Sequence, residues 1–458
     1  MKKFELISPS QALDKLFNAI DEAGTAMPAE TVDALTARDR VLAQDIISPI
    51  PLPEFRRSTV DGYAVQAASV QAALASGDLL RVIGEVRMGE MARYNVGVGE
   101  VVKIHTGGHI PSGADAVMMV ENTQRVPLAP VSKRDSKQEN SVKLLDDSNN
   151  YALRPMSESQ PTDNIIELGE DVKVGEIVIR KGSRLKEADL GGLASFGMIR
   201  TQVARQPRVA LIASGDEVVP AETEVLQPGQ VRSVNIHTVA ALVRRNGGIP
   251  LDYGILPDRF EAFEVAAERA LREADVIVFM AGTSMSDRDF VPEIVQKMGL
   301  PGILQHGIAF RPGKPTLFAL CNGKPVFGLP GNPVSTLVTA MLFLGPTLWH
   351  LQRTLNPPPP NFVRARLTTD MPSPRQFEHW FPIKLFAGQN IAENGAMSAS
   401  GIRKFHYHLN SKEVYAAQPI NSKSNLIFGL SRADGLVCAP IGVSMIPKDT
   451  EVDVLLLA

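Results

Sequence analysis

From Arg208 onward, short apolar runs alternate with helical patterns, and this alternation constrains the fold more than any other feature of the chain. RVALIAS (208–214) and DVIVFMAG (275–282) are apolar without a two-residue period, as expected of strands covered on both faces. NIHTVAALVRRNGG (235–248) carries Val239, Leu242 and Val243 at helical spacing and stops at Gly247. EAFEVAAERALREA (261–274) predicts a second amphipathic helix, and PVFGLPGNPVSTLVTAMLFL (325–344) reads as strand, tight turn and helix. The pattern predicts a doubly wound α/β domain.

The chain has 458 residues, too many for one ordinary core, so about three or four domains are expected. Ser8-Pro9 opens a helix with Leu13, Leu16, Phe17 and Ile20 inward, and a second helix is expected around 29–37. From Val41 to about Val126, runs such as DGYAV, LRVIGEV, VVKIHTG and AVMMVE are broken by Gly and Pro, which predicts a small β-rich domain. Residues 131–163 are polar and read as an extended hairpin or a loop. GEDVKVGEIVIRKGSRL suggests short strands between glycine turns, and KEADLGGLASFG a helix ending at Gly197. The four-proline run in LNPPPPNF is a stiff boundary. Beyond it, NFVRARLTTD, NLIFGL, GLVCAP and EVDVLLLA predict a small β-barrel-like module.

Composition excludes several classes. Hydrophobic content of 44% with 21% charged residues fits a globular protein. A net charge of -3 points away from nucleic acid. No membrane span of about 18 apolar residues is expected. The opening MKKFELISPSQALDKL lacks the apolar core of a signal peptide. Cys321 and Cys438 form no metal or redox pattern, and the histidines show no zinc-like spacing. A cytoplasmic setting is expected.

Three loops follow predicted strands of the α/β domain and should share its carboxyl edge, where such sheets bind ligands. They are Ser214-Gly215-Asp216-Glu217, the stretch after Met280, and Gly328 to Ser335. In the last, Gly331 permits an unusual backbone angle, Asn332 can cap, and Pro333 suits a first helical turn, which would build an anion-binding helix start. FRPGKP (310–315) fixes Arg311 and Lys314 about a Pro-Gly turn, an arrangement suited to an oxyanion. In the β-rich domain, RRSTVDGYAV carries Asp61 and HTGGHIPSGADAV carries Thr106. Taken singly, each stretch reads equally well as plain loop structure.

Taken together, RVLAQDI, DGYAV, HTGGHIPSGADAV, GEDVKVG, SGDEV, DVIVFMAGTSMSDRDF, RPGKP and GLPGNPVS resemble, in order, the molybdopterin molybdenumtransferase family (the MoeA and gephyrin E-domain family). The resemblance runs over nearly the whole chain. It implies four domains: an elongated domain from 1–45 and 164–204, an inserted β-rich domain 46–163, an α/β pterin-binding domain 205–353, and a β-barrel-like domain 354–458. It implies a homodimer, with the cleft shared between the third domain of one subunit and the second of the other. The reaction implied is insertion of molybdate (or tungstate) into adenylylated molybdopterin, with release of AMP and assistance from Mg²⁺. Molybdopterin adenylyltransferase and molybdoenzymes are the partners it suggests.

Carried over by position, the resemblance assigns catalytic roles to Asp61, Thr106, Glu217 and Asp289, with Glu217 and Asp289 as metal ligands. It assigns substrate contacts to Ser214, Gly215, Gly282, Ser284, Arg311, Lys314, Pro315, Gly331, Asn332 and Ser335. Arg375 and Ser424 match additional oxyanion contacts in the last domain. The chain also departs from the family. Where relatives read S-G-G-V-S-x-G, this chain has Met280-Ala281-Gly282-Thr283-Ser284-Met285-Ser286. Arg56-Arg57 replaces an acidic-amide pair, and Arg311 replaces a lysine. These departures leave open a divergent paralogue, and a non-catalytic pterin-binding carrier or scaffold on the same fold as the alternative.

Overall fold

A computed structural model describes residues 5–128, 151–282, 290–358, 360–386, 415–421 and 423–457. Contacts divide the chain into two compact units, residues 45–180 and residues 1–44 with 181–458.

The first helix, α1 (Pro9–Glu22), begins at a capping box. The Ser8 hydroxyl accepts from Gln11 N, and the Gln11 side chain accepts from Ser8 N. Its apolar face, Ala12, Leu16 and Ile20, is buried in the core under the α/β sheet. The helix expected around 29–37 is instead strand β1 (Ala29–Asp33) followed by a 3-10 turn (Ala34–Thr36). β1 pairs antiparallel with Arg200–Ala204, so a distant partner claims backbone groups that a local helix would have used.

The unit of residues 45–180 is built on β2 (Gly62–Val65), α2 (Ala67–Ser76), β3 (Leu80–Val86), β4 (Glu100–Ile104), β5 (Ala116–Met119), β6 (Thr123–Pro127) and β7 (Tyr151–Pro155). The strands form one sheet in the order β5-β2-β4-β3-β7-β6. β3 and β4 are parallel and the other neighbours antiparallel. β6 and β7 pair antiparallel; of the stretch 131–163 expected to be a hairpin or a loop, residues 131–150 lie outside the described residues. Gly62 is obligatory at the start of β2, because a Cβ there would lie 2.2 Å from the Met118 carbonyl oxygen.

After α3 (Glu187–Ser195) and β8 (Arg200–Ala204) comes the α/β region. Its elements are β9 (Arg208–Ser214), α4 (Asn235–Arg245), β10 (Ile249–Leu256), α5 (Phe260–Glu273), β11 (Val276–Met280), α6 (Val291–Lys297), β12 (Pro301–His306), β13 (Leu317–Cys321), β14 (Lys324–Leu329), α7 (Pro333–Thr339) and α8 (Gly345–Leu351). The sheet order is β10-β9-β11-β14-β13-β12, with the first four strands parallel. Both faces are covered, which is why β9 and β11 read as unbroken apolar runs. A π-helical turn, Ala340–Leu344, joins α7 to α8. The resulting helix, Pro333–Leu351, is apolar and long enough to cross a membrane, contrary to the sequence expectation. Its most apolar window is 72% buried against the protein, so the core accounts for its composition.

The last strands are β15 (Phe362–Leu367), β16 (Glu378–Phe386), β17 (Tyr415–Pro419), β18 (Gly435–Ala439) and β19 (Glu451–Leu456). They pair as β16-β17-β15-β19-β18, and β18 returns to β16, which closes the barrel. NLIFGL is not a barrel strand. It supplies a short helix, α9 (Ile427–Ser431), since a brief apolar run carries no decisive period.

Leu16 is fully buried and Lys15 exposed. Leu16→Ala should cost roughly 2–5 kcal/mol, and Lys15→Ala less than about 0.5 kcal/mol, in urea denaturation. Equal midpoints for the two variants would refute the packing of α1 described above.

Candidate active site

The chain reverses direction across the sheet at β9. From β9 it crosses to β10 on one side, and from there to β11 on the other. The crevice outside the carboxyl ends of β9 and β11 is therefore the topological switch point. The three loops predicted to share this edge do so. Ala281 N donates to Leu329 O (3.1 Å), and the Asn235 side chain donates to Gly331 O (2.7 Å).

Ser214 ends β9 and is buried. Gly215 has φ +136°, and a Cβ on it would come within 2.9 Å of a Glu217 carboxylate oxygen, so only glycine lets the chain turn here. Asp216 and Glu217 follow, both exposed. They meet a third acid, Asp258, which sequence reasoning missed. Asp258 N donates to Asp216 Oδ1 (3.1 Å). Burial first, then the charges of Asp216 and Glu217, push the Asp258 carboxyl above its ordinary range, while a bond from Ser214 opposes the shift. The legible signal was position: Asp258 lies two residues past β10, the strand beside β9. A cavity of about 490 Å³ opens here, lined by Gly215, Asp216, Ser233, His237 and Asp252 among others.

At the end of β11, Ala281 holds φ +111°, a left-handed conformation that a Cβ disfavours. It occupies one of the positions where the chain departs from the family pattern. Gly282 follows at φ +69°. Ser284 and Asp289 lie outside the described residues.

At the third loop, Asn332 stands at the N-cap of α7, but its side chain makes no capping bond. It donates instead to the Ser424 hydroxyl (3.0 Å), and Val334 N donates to Ser424 O (3.0 Å). Ser424 of the last module is thereby fixed against the 328–335 loop. Ser335 is buried. The cationic turn is shaped by Gly313 (φ +138°) and closed by Thr316, whose N–H and hydroxyl both donate to Gly313 O (3.1 and 2.7 Å). Arg311 and Lys314 are exposed, and Pro315 is half-buried. The Arg311 guanidinium lies 4.6 Å from the centre of the Phe377 ring, which leaves its edge for an anion. Arg375 is exposed and accepts through its carbonyl from Gly442 N (2.7 Å).

Asp61 and Thr106 meet within the unit of residues 45–180. Asp61 Oδ1 accepts from Thr106 N (2.8 Å) and from the Thr106 hydroxyl (3.3 Å). The backbone bond is the main reason the Asp61 carboxyl sits below its ordinary range. Among the described residues, no group of three or more His, Cys, Asp or Glu side chains forms a ready metal site.

Comparison with known proteins agrees with this fold. Residues 7–197 match the family described as MoeA N-terminal region (domain I and II), and residues 210–350 match one described as probable molybdopterin binding domain. A molybdopterin molybdenumtransferase of Bacillus subtilis (strain 168) is 30% identical over 422 residues, covering 91% of this chain and 87% of that protein. One from Haemophilus influenzae is 34% identical over 324 residues, covering 70% and 73%. The crystal structure of a molybdopterin biosynthesis MoeA protein from Pyrococcus horikoshii OT3 superposes with a TM-score of 0.75 at 26% identity, covering 99% of this chain and all of that one.

Two outcomes follow from strain at the switch point. A carboxyl raised on folding destabilises the folded state at pH above its folded value, and the penalty fades as pH falls through that value. Asp258→Asn should therefore raise the urea midpoint at pH 7 and lose that gain near pH 4; an equal gain at both pH values would exclude the charge explanation. Ala281→Gly should stabilise the fold by about 1 kcal/mol, the strain relieved less the entropy of glycine. An unchanged or lower urea midpoint would count against strain at this residue.

Proposed function

The chain belongs to the molybdopterin molybdenumtransferase family, and we propose from that premise that it inserts molybdate or tungstate into adenylylated molybdopterin with release of AMP. It is an enzyme of molybdenum cofactor biosynthesis. The observation that carries the specific reading is the convergence of three loops at the carboxyl edge of the sheet, with Asp216, Glu217 and Asp258 gathered on its β9/β10 side. A carboxyl held above its ordinary range by burial and by neighbouring acids is more common at functional sites than in scaffolds, which favours the enzyme reading.

Each part of the substrate finds a matching group. A tetrahedral oxyanion requires fixed cations, and Arg311 and Lys314 flank one tight turn. For the phosphate, the family resemblance implies the glycine turns at Gly215 and Gly282. Mg²⁺ takes oxygen ligands. Asp216, Glu217 and Asp258 by themselves form no ready metal site, so the ion would rest on Glu217 and Asp289, the ligands the family resemblance implies. When bound, the ion polarises the phosphoanhydride. Asp61, anchored by Thr106, supplies an ionised carboxylate for the reacting cleft.

The same reading includes the four domains at 1–45 with 164–204, 46–163, 205–353 and 354–458. It also includes a homodimer with a shared cleft, a cytoplasmic setting, and exchange with an adenylyltransferase upstream and molybdoenzymes downstream.

Purified full-length protein should release AMP from adenylylated molybdopterin only when molybdate or tungstate is added. Lys314→Ala should raise the half-saturating molybdate concentration about tenfold or more, the loss of one charge-assisted bond. The proposal fails if neither oxyanion triggers AMP release while a well-matched relative responds under the same conditions.

A further inference from the structure

The turn that carries Thr106 holds an imidazole that the proposed reaction does not use. β3 and β4 run parallel with Glu85 and Lys103 in register. Paired residues project from the same face of a sheet, and His105 follows two positions after Lys103. Two side chains then meet on one carboxylate. Glu85 Oε1 accepts from Lys103 Nζ (2.7 Å) and lies 2.8 Å from His105 Nε2. The other ring nitrogen, Nδ1, stands 3.7 Å from Asp61 Oδ1, the oxygen that also accepts from Thr106. The Asp61 side chain is 67% exposed and that of Glu85 only 24%. Lys103 and then His105 hold the Glu85 carboxyl below its ordinary range, so it is a fixed negative anchor.

We propose that His105 is the positioning residue of Asp61: its ring stands between Asp61 and the Lys103-braced Glu85 and fixes the exposed carboxylate. The inference rests on the reading that Asp61 acts in the transfer reaction. An exposed aspartate has two freely rotating bonds, and a reacting group that wanders by an ångström loses rate steeply. The Thr106 bonds and the imidazole all fall on Oδ1, which leaves Oδ2 for the substrate. Nε2 donates to the Glu85 carboxylate, and Nδ1 faces Asp61 Oδ1 at 3.7 Å, a charge contact rather than a hydrogen bond. Glu85 and Lys103 form the ion pair behind it that resists rotation of the ring. The arrangement lies wholly within the unit of residues 45–180.

The test uses the full chain with 15N-labelled histidine. Asp61→Ala, His105→Leu, His105→Asn and His105→Gln are compared by AMP release and by thermal unfolding. The asparagine amide can replace Nδ1 and the glutamine amide Nε2, so each restores one half of the bridge. The expected result is a fall in kcat of about ten- to a hundredfold in all three His105 variants, with the molybdate KM changed less than about twofold. Unfolding midpoints of the two amide variants should stay near the parent, and they decide the matter if His105→Leu folds poorly. The His105 ring resonances should move on either Asp61→Asn or Glu85→Gln. Full activity in His105→Gln would make His105 a packing residue and overturn the proposal, as would resonances indifferent to Asp61→Asn. Loss of activity in Asp61→Ala with none in His105→Leu sinks the bridge alone. Parental AMP release by Asp61→Ala sinks the reading of Asp61, and the bridge with it.

Discussion

The parallel ladder that sets β9 between β10 and β11 governs the α/β unit. Side chains alternate across a strand, so Val209, Leu211 and Ala213 enter one core while Ala210 and Ile212 enter the other. A slip of one residue would send both sets to the wrong face, and with five buried positions on one strand that slip is prohibitive. The register in turn fixes where each strand ends. Ser214 and Met280 therefore stop at the same edge, and the loops beyond them meet across a distance set by strand pairing rather than by their own chemistry.

That rigidity supports local strain. Asp258 is held half-buried near two like charges, and Ala281 keeps a backbone angle that its Cβ opposes. Each costs stability, and each lies at the carboxyl edge of the sheet, on either side of β9. Costs of this kind persist where the surrounding core over-determines the chain. The β-rich unit shows a milder version. Gly62 packs against the Met118 carbonyl so that Asp61 can enter β2 through a sharp bend, and Thr106 then ties that carboxylate down.

Much of this was legible in the sequence, for reasons that differ by element. The strands β9, β11 and β14 announced themselves because covered strands must be apolar throughout. α1 was legible because Ser8, Pro9 and Gln11 form a local capping device that needs no distant partner. Residues 29–33 misled, because Ala29–Asp33 takes its structure from a strand more than a hundred residues away. NLIFGL misled because its apolar run is too short to reveal a period. Asn332 was read as a cap, but its side chain is claimed by Ser424 from the last module. Asp258 gave no motif at all, since an acid after a proline has no meaning until strand order puts it beside Asp216.

By itself, then, the sequence determined the alternation that makes a doubly wound sheet, the glycines that turn at its edge, and the ordered set of stretches that places the chain in its family. These are local properties: periodicity, backbone freedom at single residues, and spacing. The tertiary structure alone decided which acids share a field, that Ser424 seats against the 328–335 loop, and that His105 stands between Asp61 and Glu85. Charge and hydrogen bonding act over a few ångströms in space, and the chain that separates these partners carries no record of that distance.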